Sequence, residues 1–138
     1  MSSQLNVDTI VDKAGSGGTN VKIGNTSTYV SDGGAVTQST VQSLAKSWVN
    51  IKGTGTISIR DSLNISGITD DGTGQTVVAI SNDHANSDYN VTSGANQGGF
   101  LTPNGNRAAG QYIINVYNHS GSLTDGEYTG GNTHGDLA

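Results

Sequence analysis

The chain has no cysteine, and a single proline, a single tryptophan and a single phenylalanine. Without cysteine there is neither a disulfide staple nor a thiolate zinc site. Small secreted domains often depend on disulfides, so the composition favours assembly in a reducing cytoplasm. Basic residues are also scarce, with six Lys and Arg against eleven Asp and Glu and a formal net charge of −5. A nucleic-acid binder needs cations to neutralise phosphates, so that class is excluded. No apolar run approaches the roughly 20 residues that cross a bilayer. The opening Met1-Ser-Ser-Gln-Leu5 has no charged region followed by an apolar run, so no signal peptide is expected.

Hydrophobic residues make up 32% of the 138, and charged residues 12%. An average globular domain runs at roughly 45–50% apolar on a slightly wider residue set. Low charge sets the chain apart from disordered sequences, which pair weak hydrophobicity with strong net charge. What fills the gap is Gly, Ser, Thr and Asn, with 21 Gly. One all-β, turn-rich domain with a thin core is expected, its head an antiparallel β-sandwich or barrel-like structure. Ordering the backbone costs about 1–2 kcal/mol per residue, so a thin core favours oligomerisation, which buries more surface per chain.

Residues 46–66 are the most regular stretch. Val49, Ile51, Ile57, Ile59, Leu63 and Ile65 alternate with polar residues, which predicts extended chain with one face in a core. Gly53 and Gly55 break the pattern, suggesting a bend or bulge and strands near 47–53 and 55–66. Asp61 falls on the apolar parity and must reach an edge, a partner such as Arg60, or a subunit seam. Asp70-Asp-Gly-Thr-Gly74 predicts a hairpin turn, pairing residues 57–69 with the strand 75–81. Residues 89–92 read as another strand. Residues 94–110 read as a long loop that carries Pro103 and the apolar pair Phe100-Leu101, a candidate contact loop. Residues 111–118 are apolar on both parities and read as a buried central strand. A last strand is expected around 126–129.

Before this head, residues 1–35 are two short β-like runs closed by Gly-rich turns. They read as an extended arm, whose Leu5, Val7, Ile10, Val21 and Ile23 would dock on a partner. Residues 36–47 predict a helix of one or two turns, from Val41, Leu44 and Ala45 at i, i+3, i+4, serving as linker to a head at 48–138.

Catalytic constellations are not legible. His84, His119 and His134 lie in polar turn contexts without metal-ligand spacing. Asp70, Asp71, Asp83 and Asp88 do not match a calcium loop. Glu127 is the single Glu, and nothing singles out a carboxylate pair that includes Asp61. No G-x-S-x-G elbow or phosphate loop is present. No catalytic, cofactor-binding or metal site is assigned, and a non-enzymatic role is expected. Trp48, Tyr112 and Tyr117 read as core or subunit interface, with a sugar-stacking platform as the alternative.

Residues 41–74, Val-Gln-Ser-Leu-Ala-Lys-Ser-Trp-Val-Asn-Ile-Lys-Gly-Thr-Gly followed by Ser62-Leu-Asn-Ile-Ser-Gly-Ile-Thr-Asp-Asp-Gly-Thr-Gly74, resemble a segment of small virion proteins of tailed phages, especially marine and cyanobacterial ones. In that family A-K-x-W-V-N-F and G-T-G precede S-x-N-V-S-S-I-T-D-N-G-T-G and a later A-N-Y-x-V, whose place Asp88-Tyr-Asn-Val91 takes here. Leu5-Asn-Val-Asp-Thr-Ile10 and His134-Gly-Asp-Leu-Ala138 are similar to the family's ends, whereas 92–133 match loosely. Ile51 and Gln75-Thr-Val depart from the pattern. The resemblance implies a homotrimeric β-rich appendage. It is either a capsid decoration (cement) protein on the outer capsid surface, gripping itself and the major capsid protein, or a short tail-fibre subunit contacting tail or host receptor. The arm plus compact head favours decoration. No nucleic acid, membrane or cofactor enters either reading.

Overall fold

The computed structural model describes residues 28–30, 37–96 and 101–138. The chain divides into two units at Val41/Gln42. In the first, β1 (Thr28–Val30) pairs antiparallel with β2 (Thr37–Ser39), Tyr29 opposite Gln38. The helix expected over 36–47 is therefore shorter. Its start is strand, and α1 (Thr40–Ser43) is a four-residue turn, in keeping with the Thr and Ser content of the segment. The docking residues assigned to the arm, Leu5, Val7, Ile10, Val21 and Ile23, lie outside the described residues, as does Phe100.

The second unit is all β apart from the end of that turn. Its strands are β3 (Ser47–Lys52), β4 (Ser58–Leu63), β5 (Ile65–Gly72), β6 (Gln75–Ile80), β7 (Asn90–Ala95), β8 (Leu101–Ala108), β9 (Gln111–Val116) and β10 (Thr129–His134). They form two antiparallel four-stranded sheets, β4-β3-β10-β7 and β5-β6-β9-β8.

Alternation explains the inner faces. Val49 and Ile51 of β3 and Val91 of β7 point inward from the first sheet. Val78 and Ile80 of β6, with Tyr112, Ile114 and Val116 of β9, point inward from the second. With Tyr89 they form one buried cluster. Each large aliphatic side chain fully removed from water contributes roughly 1.5–3 kcal/mol. The expected buried central strand is β9, with Tyr112, Ile114 and Val116 on the core side and Ile113 buried outside that cluster.

Three expectations need correction. Residues 55–66 are not one strand. Asn64 takes φ 58° and breaks the run, sending β4 into the first sheet and β5 into the second. Asn and Asp tolerate this left-handed region better than other side-chain-bearing residues. The Asn64 side chain secures the corner, since Oδ1 accepts from Asn82 N at 2.8 Å and Nδ2 donates to Lys46 O at 3.1 Å. Within β4 a bulge opposite Asn50 and Ile51 splits the parity: Leu63 lies opposite outward-facing Trp48 and is 49% exposed, against the core parity expected of it, while Ile59 keeps the face of Ile51 and is 36% exposed at the sheet edge.

The loop expected over 94–110 contains the end of β7 and the whole of β8, with Leu101 paired to Val116 and Pro103 to Ile114. Pro103 is tolerated because β8 is an edge strand, whose unpaired side needs no N–H donor. The last strand is also longer and later than expected. β10 runs through Thr-Gly-Gly-Asn-Thr-His and sits between β3 and β7. Gly131 suits this place because a Cβ there would come within 3.2–3.3 Å of Tyr112 and Ile114.

The Asp70–Gly74 turn forms as expected, pairing Gly72 with Gln75. Gly72 and Gly74 take φ 122° and 69°. Asp70 and Asp125 carboxylates accept from the Gly72 and Gly74 amides at 3.0 and 2.7 Å.

Candidate functional site

The outer face of the first sheet carries the side chains that the core does not use. On β3 the odd residues turn inward, so Trp48 and Asn50 turn outward. Register then builds rows across the sheet. Leu63, Trp48, Asn132 and Thr92 form one, and Asp61, Asn50, Gly130 and Gly94 the next. Strand rise puts these rows roughly 6.6 Å apart. Trp48 is half-buried against this face, outside the core cluster. Tyr112 is fully buried inside and Tyr117 is half-buried, bridging to Leu123, so a sugar platform of Trp48 with these two tyrosines does not form.

One end of this face is held by side chains far apart in sequence. The Thr54 hydroxyl and the Arg60 guanidinium both donate to the Glu127 carboxylate, and Arg60 Nη2 also reaches Glu127 O at 3.3 Å. The Thr54 hydrogen bond, then Arg60, hold the Glu127 carboxyl below its usual range. Arg60 lies over the Tyr128 ring, 4.4 Å from its centre. Arg60 therefore serves Glu127 rather than Asp61, whose carboxylate accepts from Ser62 N at 2.8 Å on the exposed edge strand. Asn96 fixes the Tyr128 backbone from both sides, donating N–H to Tyr128 O at 3.0 Å and accepting from Tyr128 N through Oδ1 at 3.1 Å. Tyr128 remains 52% exposed. Beside it lies a shallow depression lined by Asn50, Gly94, Asn96, Tyr128 and Gly130.

A second cluster is buried. His84 Nε2 is 2.9 Å from Thr133 Oγ1, which is 2.7 Å from Ser47 Oγ. Its Nδ1 is 3.2 Å from the Asp136 carbonyl. A carbonyl can only accept, so Nδ1 carries the proton and Nε2 accepts. Thr133 must then donate to His84, and Ser47 to Thr133, which fixes the direction of every bond in the chain. The imidazole is held neutral first by burial and then by the nearby Lys46 charge, against the opposing pull of the Asp136 carbonyl and Asp83. Burial likewise pushes the Tyr89 and Tyr112 hydroxyls up. The Tyr112 hydroxyl lies near Ser47 but has no partner in ordinary hydrogen-bond geometry among the described residues. Ser47 and Thr133 are 0% exposed and His84 is 2% exposed. A hydroxyl so enclosed meets no substrate in this conformation, and the cluster ties strands and tail together.

The remaining sequence candidates do not converge. His119 is exposed on a turn, and His134 ends β10. Asp70, Asp71, Asp83 and Asp88 are exposed and separate, and among the described residues no three His, Asp or Glu side chains are grouped to hold a metal ion. No helix among them is long and apolar enough to cross a membrane.

No protein-family model, curated protein or solved structure gives a significant match to this chain. Sequence reasoning missed Tyr128 and the Thr54–Glu127–Arg60 bridge. The usable signal was parity, since Tyr128, Gly130 and Asn132 share one face of a strand.

Proposed function

We propose that this chain is a virion structural protein of a tailed phage, a capsid decoration protein that trimerises and braces the capsid lattice from outside. The finer fold in this reading is a β-sandwich head carrying an N-terminal arm. The observation that carries it is the edge strand β4. It lies within the segment that resembles the phage proteins, and it exposes Leu63 beside Trp48 on the outer face and Ile59 beside Ile51 at the sheet edge. An edge ladder with apolar side chains is a ready surface for another chain. In the trimer this surface meets its copies, and the arm residues Leu5, Val7, Ile10, Val21 and Ile23 grip the major capsid protein. Three linked arms multiply weak contacts through effective concentration. Packaged DNA presses outward, and bridging neighbouring subunits raises the work of separating them.

A short tail-fibre role is the second reading, favoured by the exposed Tyr128, whose ring Arg60 and Glu127 hold in place as a contact group would require. Copy number on the intact particle decides between them. Hundreds of copies spread over the capsid support decoration, and a few dozen or fewer at the tail support the fibre. A monomeric mass by light scattering would remove both readings. Deleting residues 1–35 is expected to abolish particle attachment while leaving a soluble head.

A further inference from the structure

We propose that the depression beside Tyr128 is a binding site for a neutral carbohydrate. Its floor is made where two outward-facing glycines, Gly94 and Gly130, stand opposite each other on adjacent strands, with Asn50 across from Gly130. The fold accounts for Gly130, because a Cβ there would come within 2.9 Å of the Val49 carbonyl. The fold does not account for Gly94. Its φ is outside the left-handed region, and a Cβ there would meet nothing within 4 Å. Glycine weakens a strand interior and commonly marks a place where a ligand comes close to the backbone. At position 94 it keeps the floor flat and bare, at a cost in stability that no contact among the described residues requires.

The walls have matching chemistry. Tyr128 has Arg60 over one face of its ring and is otherwise half exposed, so the opposite face is available to stack on the weakly positive C–H groups of a sugar ring. Asn50 is exposed, and its amide has both a carbonyl acceptor and N–H donors, the pair of functions that adjacent sugar hydroxyls need. Asn96 spends its Oδ1 on the Tyr128 amide, which leaves its NH2 as a donor. Among the described residues no charged side chain lines the depression, and the nearby Arg60 and Glu127 neutralise each other. An uncharged lining on a protein of net charge −5 complements a neutral ligand and disfavours a polyanion.

The test is native affinity electrophoresis of the full chain in gels containing dextran, mannan or galactomannan, with polygalacturonate as the anionic control. Retardation by at least one neutral polymer and none by polygalacturonate is expected. Tyr128→Ala and Gly94→Val should each weaken retention at least tenfold. Gly94→Val should keep or raise the melting temperature, because a β-branched residue enters open space on a strand; loss of retention there is loss of the site and not of the fold. Retention that survives both substitutions, equal retention by polygalacturonate, or no retardation by any of the three neutral polymers would overturn the proposal. Gly94→Val lies on β7, two strands away from β4, so in that variant oligomeric mass stays at the parent value whichever way the sugar test falls, and the assembly reading stands or falls separately.

Discussion

The His84 imidazole lies flat on the Tyr89 ring, with centroids 4.0 Å apart and planes 11° from parallel. The Tyr89 hydroxyl in turn donates to the Gln111 carbonyl at 2.6 Å, with the Ala108 carbonyl 3.0 Å away. The stack thus links three places: the turn before β9, the loop before β7, and the tail after β10. Its proton count sets a pH dependence. The folded state keeps His84 neutral below the 6.5 at which the unfolded chain takes up a proton. At higher pH both states are neutral and the stability is fully present. As pH falls below 6.5 the unfolded state binds the extra proton, and stability declines until the lowered folded pKa is passed. Urea midpoints at pH 7.5 and 5 should therefore differ, and His84→Phe should shrink that difference while lowering stability at both values.

Thr133 is the hinge of the buried hydrogen-bond chain. Thr133→Val keeps the shape and removes the hydroxyl, leaving Ser47 and His84 Nε2 without their partner. An expected loss of about 1–3 kcal/mol follows from burying unpaired polar groups, and Thr133→Ser should restore most of it. Combined with Ser47→Ala, the Val variant should cost less than the sum of the two alone, because both remove the same bond. Denaturation of the three variants measures this coupling.

Gly55 and Gly74 form a matched pair for backbone strain. Both have positive φ, 64° and 69°, but a Cβ at Gly55 meets nothing within 4 Å, whereas at Gly74 it would come within 2.6–2.8 Å of Thr124 N, Thr124 O and Val116 O. Gly55→Ala should cost about 1–2 kcal/mol, the left-handed penalty alone. Gly74→Ala adds a collision with rigid backbone and should cost clearly more, read as a larger drop in the urea midpoint.

Ile59→Lys and Leu63→Lys test the edge strand. Both side chains are substantially exposed, so each change should stay within about 0.5 kcal/mol of parent stability. A lysine on a sheet edge opposes strand addition. On the proposed trimer, light scattering should then show smaller species than the parent chain gives, while circular dichroism stays unchanged.

Period-two alternation made β3 readable, because it buries one face against apolar neighbours, and β9 was readable as a run apolar on both parities, because Tyr112 to Val116 are all buried. The Asp-Gly turn between β5 and β6 was readable for the same local reason, as turn chemistry needs no distant contact. β10 was hidden because its place between β3 and β7 rests on backbone pairing and on the room its glycines leave for Tyr112. β8 was hidden behind Pro103, which reads as a loop signal unless the strand is known to be an edge. The bulge in β4 left no mark on hydrophobic parity, so Leu63 looked like core although it faces outward opposite Trp48. The Thr54–Glu127–Arg60 bridge joins residues more than sixty positions apart, and no local pattern encodes such a meeting.

β10 closes the first sheet, and it does so from late in the chain. Ser47 waits for Thr133, and Val49 for Gly131, before β3 has a ladder on its side away from β4. A ribosome therefore delivers the β3–β4 pair and β7 without the strand that joins them, and the layer is knitted only after residue 134 has emerged. Slow maturation follows from such distant closure, and until then the unpaired flank of β3 is open to any passing strand, its own twin from a neighbouring ribosome included.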